Sequence, residues 1–191
     1  MTDVELRVEH GRLPAFLAAP ESPGPWPGVV VIHEALGLTE DIRSIADRLA
    51  RSGYLALAPD FLAWGRRFSC LRSAFAQLRA GHGRTFDELD EARRWLGGQP
   101  GCSGRVGVIG FCLGGGFALL SAGSGFDVAA VNYGLVPADA ERALAGACPW
   151  WPRWVPTTGV CAAATSGCSP RWSRWGSSTT CGPTRAPATA S

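Results

Sequence analysis

The run Arg105-Val106-Gly107-Val108-Ile109-Gly110-Phe111-Cys112-Leu113-Gly114-Gly115-Gly116 decides how this chain is read. Its first half, Arg105 to Gly110, is an apolar, β-branched strand of the kind buried on both faces. Its second half opens a helix, Leu113 to Ser121. Between them, Gly110-Phe111-Cys112-Leu113-Gly114 is a G-x-S-x-G arrangement with Cys in the Ser position. A strand that reverses into a helix within a few residues forces the middle residue into a strained, exposed conformation. Gly on either side removes the Cβ atoms that would collide there. A helix start also stabilises a nearby negative charge and offers backbone N–H groups to an oxyanion. A dinucleotide-binding loop would need Gly where Cys112 stands. A P-loop would need Lys, which the chain lacks. The plain alternative is an inert cysteine beside a tight turn.

Reading outward, strands alternate with helices. Val4 to Val8 and Leu13 to Ala19 form an N-terminal antiparallel pair. Gly28 to His33 is a second buried strand. A helix follows, with Thr39 as N-cap, Ile42, Ile45, Ala46 and Leu49 on one apolar face, and Gly53 at its end. Leu55 to Ala58 is a short strand stopped by Pro59-Asp60. Phe61 to Gly83 is irregular, with helix around Leu71 to Arg79. Thr85 and Glu88 have capping-box spacing for a helix through Leu96. Asp127 to Tyr133 is a further strand and Ala138 to Ala145 a short helix. The alternation predicts an α/β fold with a largely parallel sheet.

Composition narrows the function. The chain has 191 residues and a formal charge of +2. No strong electrostatic attraction to nucleic acid or to a membrane surface is expected. No apolar run reaches the roughly 20 residues that span a bilayer. The start, Met1-Thr2-Asp3-Val4-Glu5, has no basic-then-apolar leader, so a cytoplasmic setting is expected. Seven cysteines, an odd number, argue against a disulfide framework. His33-Glu34 is not H-E-x-x-H, because residue 37 is Gly, so no metal site is expected. A monomer without a cofactor is expected.

The elbow around Cys112 and the segment Ile32-His33-Glu34-Ala35-Leu36-Gly37 together carry a resemblance. So do Gly53 to Asp60, Gly104 to Gly116, and Val131-Asn132-Tyr133-Gly134. Residues 1–149 resemble the dienelactone hydrolases, a cysteine version of the α/β-hydrolase fold. The resemblance implies opening of enol-lactones such as 4-carboxymethylenebut-2-en-4-olide. It implies that Cys112 is the nucleophile and Glu34 the glutamate that contacts it. It further implies an oxyanion hole made by the N–H groups of Leu113 and Ala35, and an Arg that holds a substrate carboxylate. Arg66, Arg67, Arg72, Arg79 and Arg84 all lie in the appropriate region.

The chain departs from the family at its catalytic partners. The fold orders nucleophile, acid and His along the sequence. After Cys112 the acids are Asp127, Asp139 and Glu141, and no His follows His82. His10 reads as surface, His33 as part of the oxyanion loop, and His82 as part of an irregular stretch. The triad Asp and His are therefore absent. The composition breaks at the same end. Residues 150–191 contain no Asp, Glu, His, Leu, Ile, Phe or Met, yet hold five of the eight Trp. Residues 1–149 carry 14 Arg against 16 acids, a net of −2. A naturally disordered extension would be poor in Trp. The segment reads as a frame-shifted translation beginning near Trp150. Trp is encoded by TGG alone, so in the neighbouring frame Val would replace Trp151, Ala would replace Pro152 and Gly would replace Val155. Arg185 to Ser191 permits Pro-Gly-Ala-Gly-His-Gly-Phe, a candidate for the missing His loop. The expected organisation is a hydrolase core over 1–149 and an aberrant tail over 150–191. The alternative to an active hydrolase is a non-catalytic pseudoenzyme or binding module of the same fold. A sheet lacking its last strands would leave an exposed edge, so poor solubility is expected.

Overall fold

A computed structural model describes residues 1–134, 147, 148 and the backbone of 150–153. β1 (Thr2–Val8) and β2 (Gly11–Ala18) form the expected antiparallel hairpin. β3 (Trp26–Ile32), β4 (Leu55–Pro59), β5 (Cys102–Phe111), β6 (Val128–Asn132) and β7 (Trp150–Arg153) complete a seven-stranded sheet. The order is β1-β2-β4-β3-β5-β6-β7. β2 pairs antiparallel with β4, and every pair from β4 through β7 is parallel. The helices are α1 (Glu40–Arg51), α2 (Arg67–Ala80), α3 (Arg84–Gly97) and α4 (Leu113–Leu120). This is the expected α/β-hydrolase architecture.

Strand alternation divides the core between two faces. Val30, Ile32, Leu55 and Leu57 point to one face with Leu89 and Leu96 of α3 and Phe117 of α4. Val31, Ala56 and Ala58 point to the other with Ile42, Ala46 and Ala50 of α1. The central strands β3 and β5 place their C-terminal ends side by side, with Ile32 opposite Gly110. That juxtaposition builds the candidate site.

Several expectations are refined. α2 begins at Arg67, ahead of the expected Leu71. Thr39 does occupy the N-cap of α1, but its hydroxyl makes no capping bond. The capping box at Thr85 and Glu88 does not form. Gly83 is the N-cap of α3, and the Thr85 N–H donates to Gln77 Oε1 at 2.7 Å. The sheet continues through β7, past the composition break at residue 150. The expected helix Ala138 to Ala145 lies outside the described residues.

Glu88 points into the core instead of back to the helix start. It is 1% exposed, and among the described residues neither carboxyl oxygen has a well-aligned hydrogen-bond partner. Arg84 Nε lies 3.3 Å from Oε1, close enough for attraction but without hydrogen-bond alignment. The Arg84 guanidinium also stacks 5.2 Å from the centre of the Trp64 ring. Burial pushes the Glu88 carboxyl up to about 7, and Arg84 offsets only part of this. The fold therefore favours protonated Glu88. Stability is unaffected below about pH 4.5, falls as pH rises toward 7, and is lower above it by at most about 3 kcal/mol. Glu88→Gln is expected to raise the urea midpoint relative to wild type at pH 8 and to leave it nearly unchanged at pH 4. An equal difference at both pH values would contradict a buried, titrating carboxyl.

Candidate active site

Cys112 sits between β5 and α4 with φ 51° and ψ −113°, in the sparsely populated region expected of a nucleophile elbow. Its side chain is exposed. Its N–H donates to the Asn132 carbonyl at 3.1 Å, which ties the turn to the end of β6. The flanking glycines are required by crowding. A Cβ on Gly110 would lie 2.0 Å from the Gly114 carbonyl oxygen. A Cβ on Gly114 would lie 2.4 Å from the Ile32 oxygen and 2.6 Å from the His33 oxygen. The elbow is thus wedged against the end of β3, where the second expected segment begins.

That segment turns sharply. The Glu34 carbonyl accepts the Gly37 N–H at 3.1 Å, closing a turn with Ala35 and Leu36 at its centre. Glu34 and Ala35 are half-buried. Leu113 opens α4, so its N–H has no partner within the helix. Among the described residues, neither the Leu113 nor the Ala35 N–H enters a backbone hydrogen bond outside the helices and strands.

Tyr133 joins this group, although motif spacing did not single it out as a site residue. It follows β6 with φ 42°, and its ring meets Phe111 edge-on at 6.4 Å. Partial burial raises the phenol pKa, and the charges of Glu34 and Cys112 raise it further. Tyr133, Glu34 and Cys112 therefore share one electrostatic environment. The only sequence signal for Tyr133 was its place in the Val131 to Gly134 stretch.

All three histidines precede Cys112 in the sequence. His10 is exposed in the β1–β2 hairpin, and His82 is exposed between α2 and α3. His33 is 3% exposed, and both ring nitrogens are engaged. Nε2 accepts the Phe61 N–H at 3.1 Å, and Nδ1 pairs with the Glu34 carbonyl at 2.7 Å. Burial lowers its pKa, with the Glu34 backbone contact and then Asp60 opposing the effect. Asp127 is engaged elsewhere: its Oδ2 accepts the Val106 N–H at 2.7 Å, midway along β5 and six residues before Cys112. Asp139 and Glu141 lie outside the described residues. Of the arginines considered, Arg84 is engaged by Glu88 and Trp64, whereas Arg66, Arg67, Arg72 and Arg79 are exposed on or beside α2. Among the described residues, no cluster of His, Cys, Asp or Glu could hold a metal ion. No described helix is long and apolar enough to cross a membrane.

The profile of the Dienelactone hydrolase family matches residues 13–150. The chain belongs to the dienelactone hydrolase family. The match stops where the composition changes. A carboxymethylenebutenolidase from Pseudomonas putida is 30% identical over 144 residues, covering 68% of this chain and 59% of its own. A relative from Methylorubrum extorquens is 31% identical over 119 residues, covering 59% of this chain and 41% of its own. This chain thus spans under half the length of that relative. The crystal structure of a dienelactone hydrolase from Anabaena variabilis superposes with a TM-score of 0.64 at 23% identity. That match covers 79% of this chain and 71% of the other, and it shows the shared fold.

The crowding at the elbow predicts a sharp contrast between glycines. Gly114→Ala places a methyl group against backbone and is expected to cost more than about 3 kcal/mol. Gly123→Ala, with open space at its Cβ, is expected to change stability by less than about 1 kcal/mol. Urea denaturation of both variants measures the difference, and equal stability would refute the close approach.

Proposed function

We propose that this chain transfers the acyl group of a small lactone or ester to Cys112. The observation that carries this reading is the exposed Cys112, held at positive φ in the turn between β5 and the start of α4. The Cys112 thiolate attacks the substrate carbonyl, and its S–C bond forms as the carbonyl oxygen becomes an oxyanion. The N–H groups of Leu113 and Ala35 hold that oxyanion. The carbonyl–oxygen bond to the alkoxide or enolate then breaks, leaving a thioester. Water hydrolyses the thioester and regenerates the thiol. Glu34 is the carboxylate that shares the environment of Cys112 and Tyr133. The name of the Pseudomonas putida relative favours a lactone carrying its own carboxylate. An exposed arginine on α2 suits that charge. The mechanism calls for no cofactor.

A second reading follows from the histidines. His33 is engaged, Asp127 is remote, and no His follows His82. Without a general base, deacylation loses on the order of 10² to 10⁴ in rate. On this reading the 191-residue chain is a non-catalytic member of the fold that acylates once and stops. The end of the family match at residue 150 supports a shifted reading frame from that point.

p-Nitrophenyl acetate separates the readings. The 191-residue chain is expected to release one equivalent of p-nitrophenol per chain and to retain acetyl on Cys112, with turnover at least ~100-fold below that of the frame-corrected chain. Cys112→Ala is expected to abolish the burst. A burst that survives in Cys112→Ala would sink the nucleophile assignment. Full turnover by the 191-residue chain would sink the second reading.

A further inference from the structure

We propose that His33 is a positioning residue that orients the Glu34–Ala35 peptide so that the Ala35 N–H is presented to the developing oxyanion. This rests on the assignment of the Ala35 N–H to the oxyanion hole and adds the device that holds it there.

The tautomer follows from the partners. The Phe61 N–H can only donate, so Nε2, 3.1 Å away, must be the acceptor and carry no proton. In the neutral ring the proton then sits on Nδ1, which donates to the Glu34 carbonyl at 2.7 Å. A peptide group is planar and trans, so its C=O and N–H point in opposite directions. Pinning the Glu34 carbonyl on His33 therefore points the Ala35 N–H away from His33. The Gly37 N–H pins the same carbonyl from the turn. If the peptide rotated, it would turn a carbonyl toward the reacting oxygen instead of a donor, and repulsion would replace stabilisation.

The surroundings keep this arrangement intact. His33 is 3% exposed and lies beside a cavity of only ≈10 Å³, lined by Phe61, Ala74, Leu113 and Phe117 among others. A water has little room there to replace either partner. Asp60 lies 3.6 Å from Nε2, but its Oδ1 already accepts the Leu62 N–H at 3.1 Å. The His33 carbonyl oxygen lies 2.6 Å from where a Cβ on Gly114 would stand, so the residue is packed directly against the elbow. Phe61, which follows β4, thus reaches the oxyanion segment through the imidazole. A bulky apolar residue at position 33 would fill the space but leave the Glu34 carbonyl held by the turn alone.

Two reactions of Cys112 test this without requiring turnover. In acylation by p-nitrophenyl acetate, the thiolate adds to the carbonyl, an oxyanion forms and p-nitrophenolate leaves. In alkylation by iodoacetamide, the thiolate displaces iodide and no oxyanion forms. Peptide mass spectrometry assigns both products to Cys112. His33→Leu is expected to slow acylation about tenfold or more, while alkylation changes less than about threefold. His33→Asn keeps a donor near the Nδ1 position and is expected to retain most of the acylation rate. His33→Gln keeps an acceptor near the Nε2 position, loses the donor to Glu34, and is expected to be as slow as His33→Leu. The Asn and Gln pair carries the test if the Leu variant does not fold. Equal acylation rates for Asn and Gln, or parallel loss in both reactions, would overturn the positioning role. Ala35→Pro distinguishes the underlying assignment, because Pro suits the second position of the turn and removes the N–H. If Ala35→Pro is slow in acylation and His33→Gln is not, the positioning role alone falls. If Ala35→Pro acylates at the wild-type rate, the oxyanion-hole assignment falls with it.

Discussion

The site depends on the close approach of three backbone segments around Cys112. β3 ends against the first turn of α4, and the strand β5 that carries the elbow reverses between them. β6 closes the third side through the Asn132 carbonyl, which accepts the Cys112 N–H. At these distances no Cβ fits at Gly110 or Gly114, so Cys112 occupies its strained conformation because its neighbours leave no alternative. The thiol is exposed there, and the first N–H of α4 has no partner within the helix.

The polar groups follow from that frame. Glu34 and Tyr133 project from the ends of the strands that flank β5, and each arrives beside Cys112 through sheet register. His33 stands one residue before Glu34 but is buried, where it serves two backbone groups and has no nitrogen left for proton transfer. Cys112 is exposed beside Glu34 and Tyr133, and no His follows His82 in the sequence. Asp127, the first acid after Cys112 in the sequence, accepts the Val106 N–H midway along β5.

Where the sequence reading missed, burial decided. Thr85 and Glu88 have the spacing of a capping box, a local pattern that takes no account of which helix face meets the sheet. Helix α3 turns Glu88 inward, where Arg84 and Trp64 surround it, and Gln77 from α2 serves the Thr85 N–H instead. Tyr133 was likewise invisible to spacing rules. A lone Tyr after a strand carries no periodic signal, and only the pairing of β6 with β5 sets it beside Cys112.

The amino-acid sequence by itself determined the strand and helix order, the elbow at Cys112, the loop at Glu34 and the family. Each of these is written in local patterns: β-branched runs, glycine spacing and the chemistry of a few adjacent side chains. It also determined that no His follows His82, since that is a matter of which residues exist. Only the tertiary structure decided which polar groups are free and which are engaged. His33, Arg84 and Asp127 were all candidates by residue type, and each is committed to a partner 21 or more residues away or to a buried neighbour. Partnerships across such separations are set by how strands and helices pack, because a hydrogen-bonding group taken out of water must find whichever partner the packing brings to it.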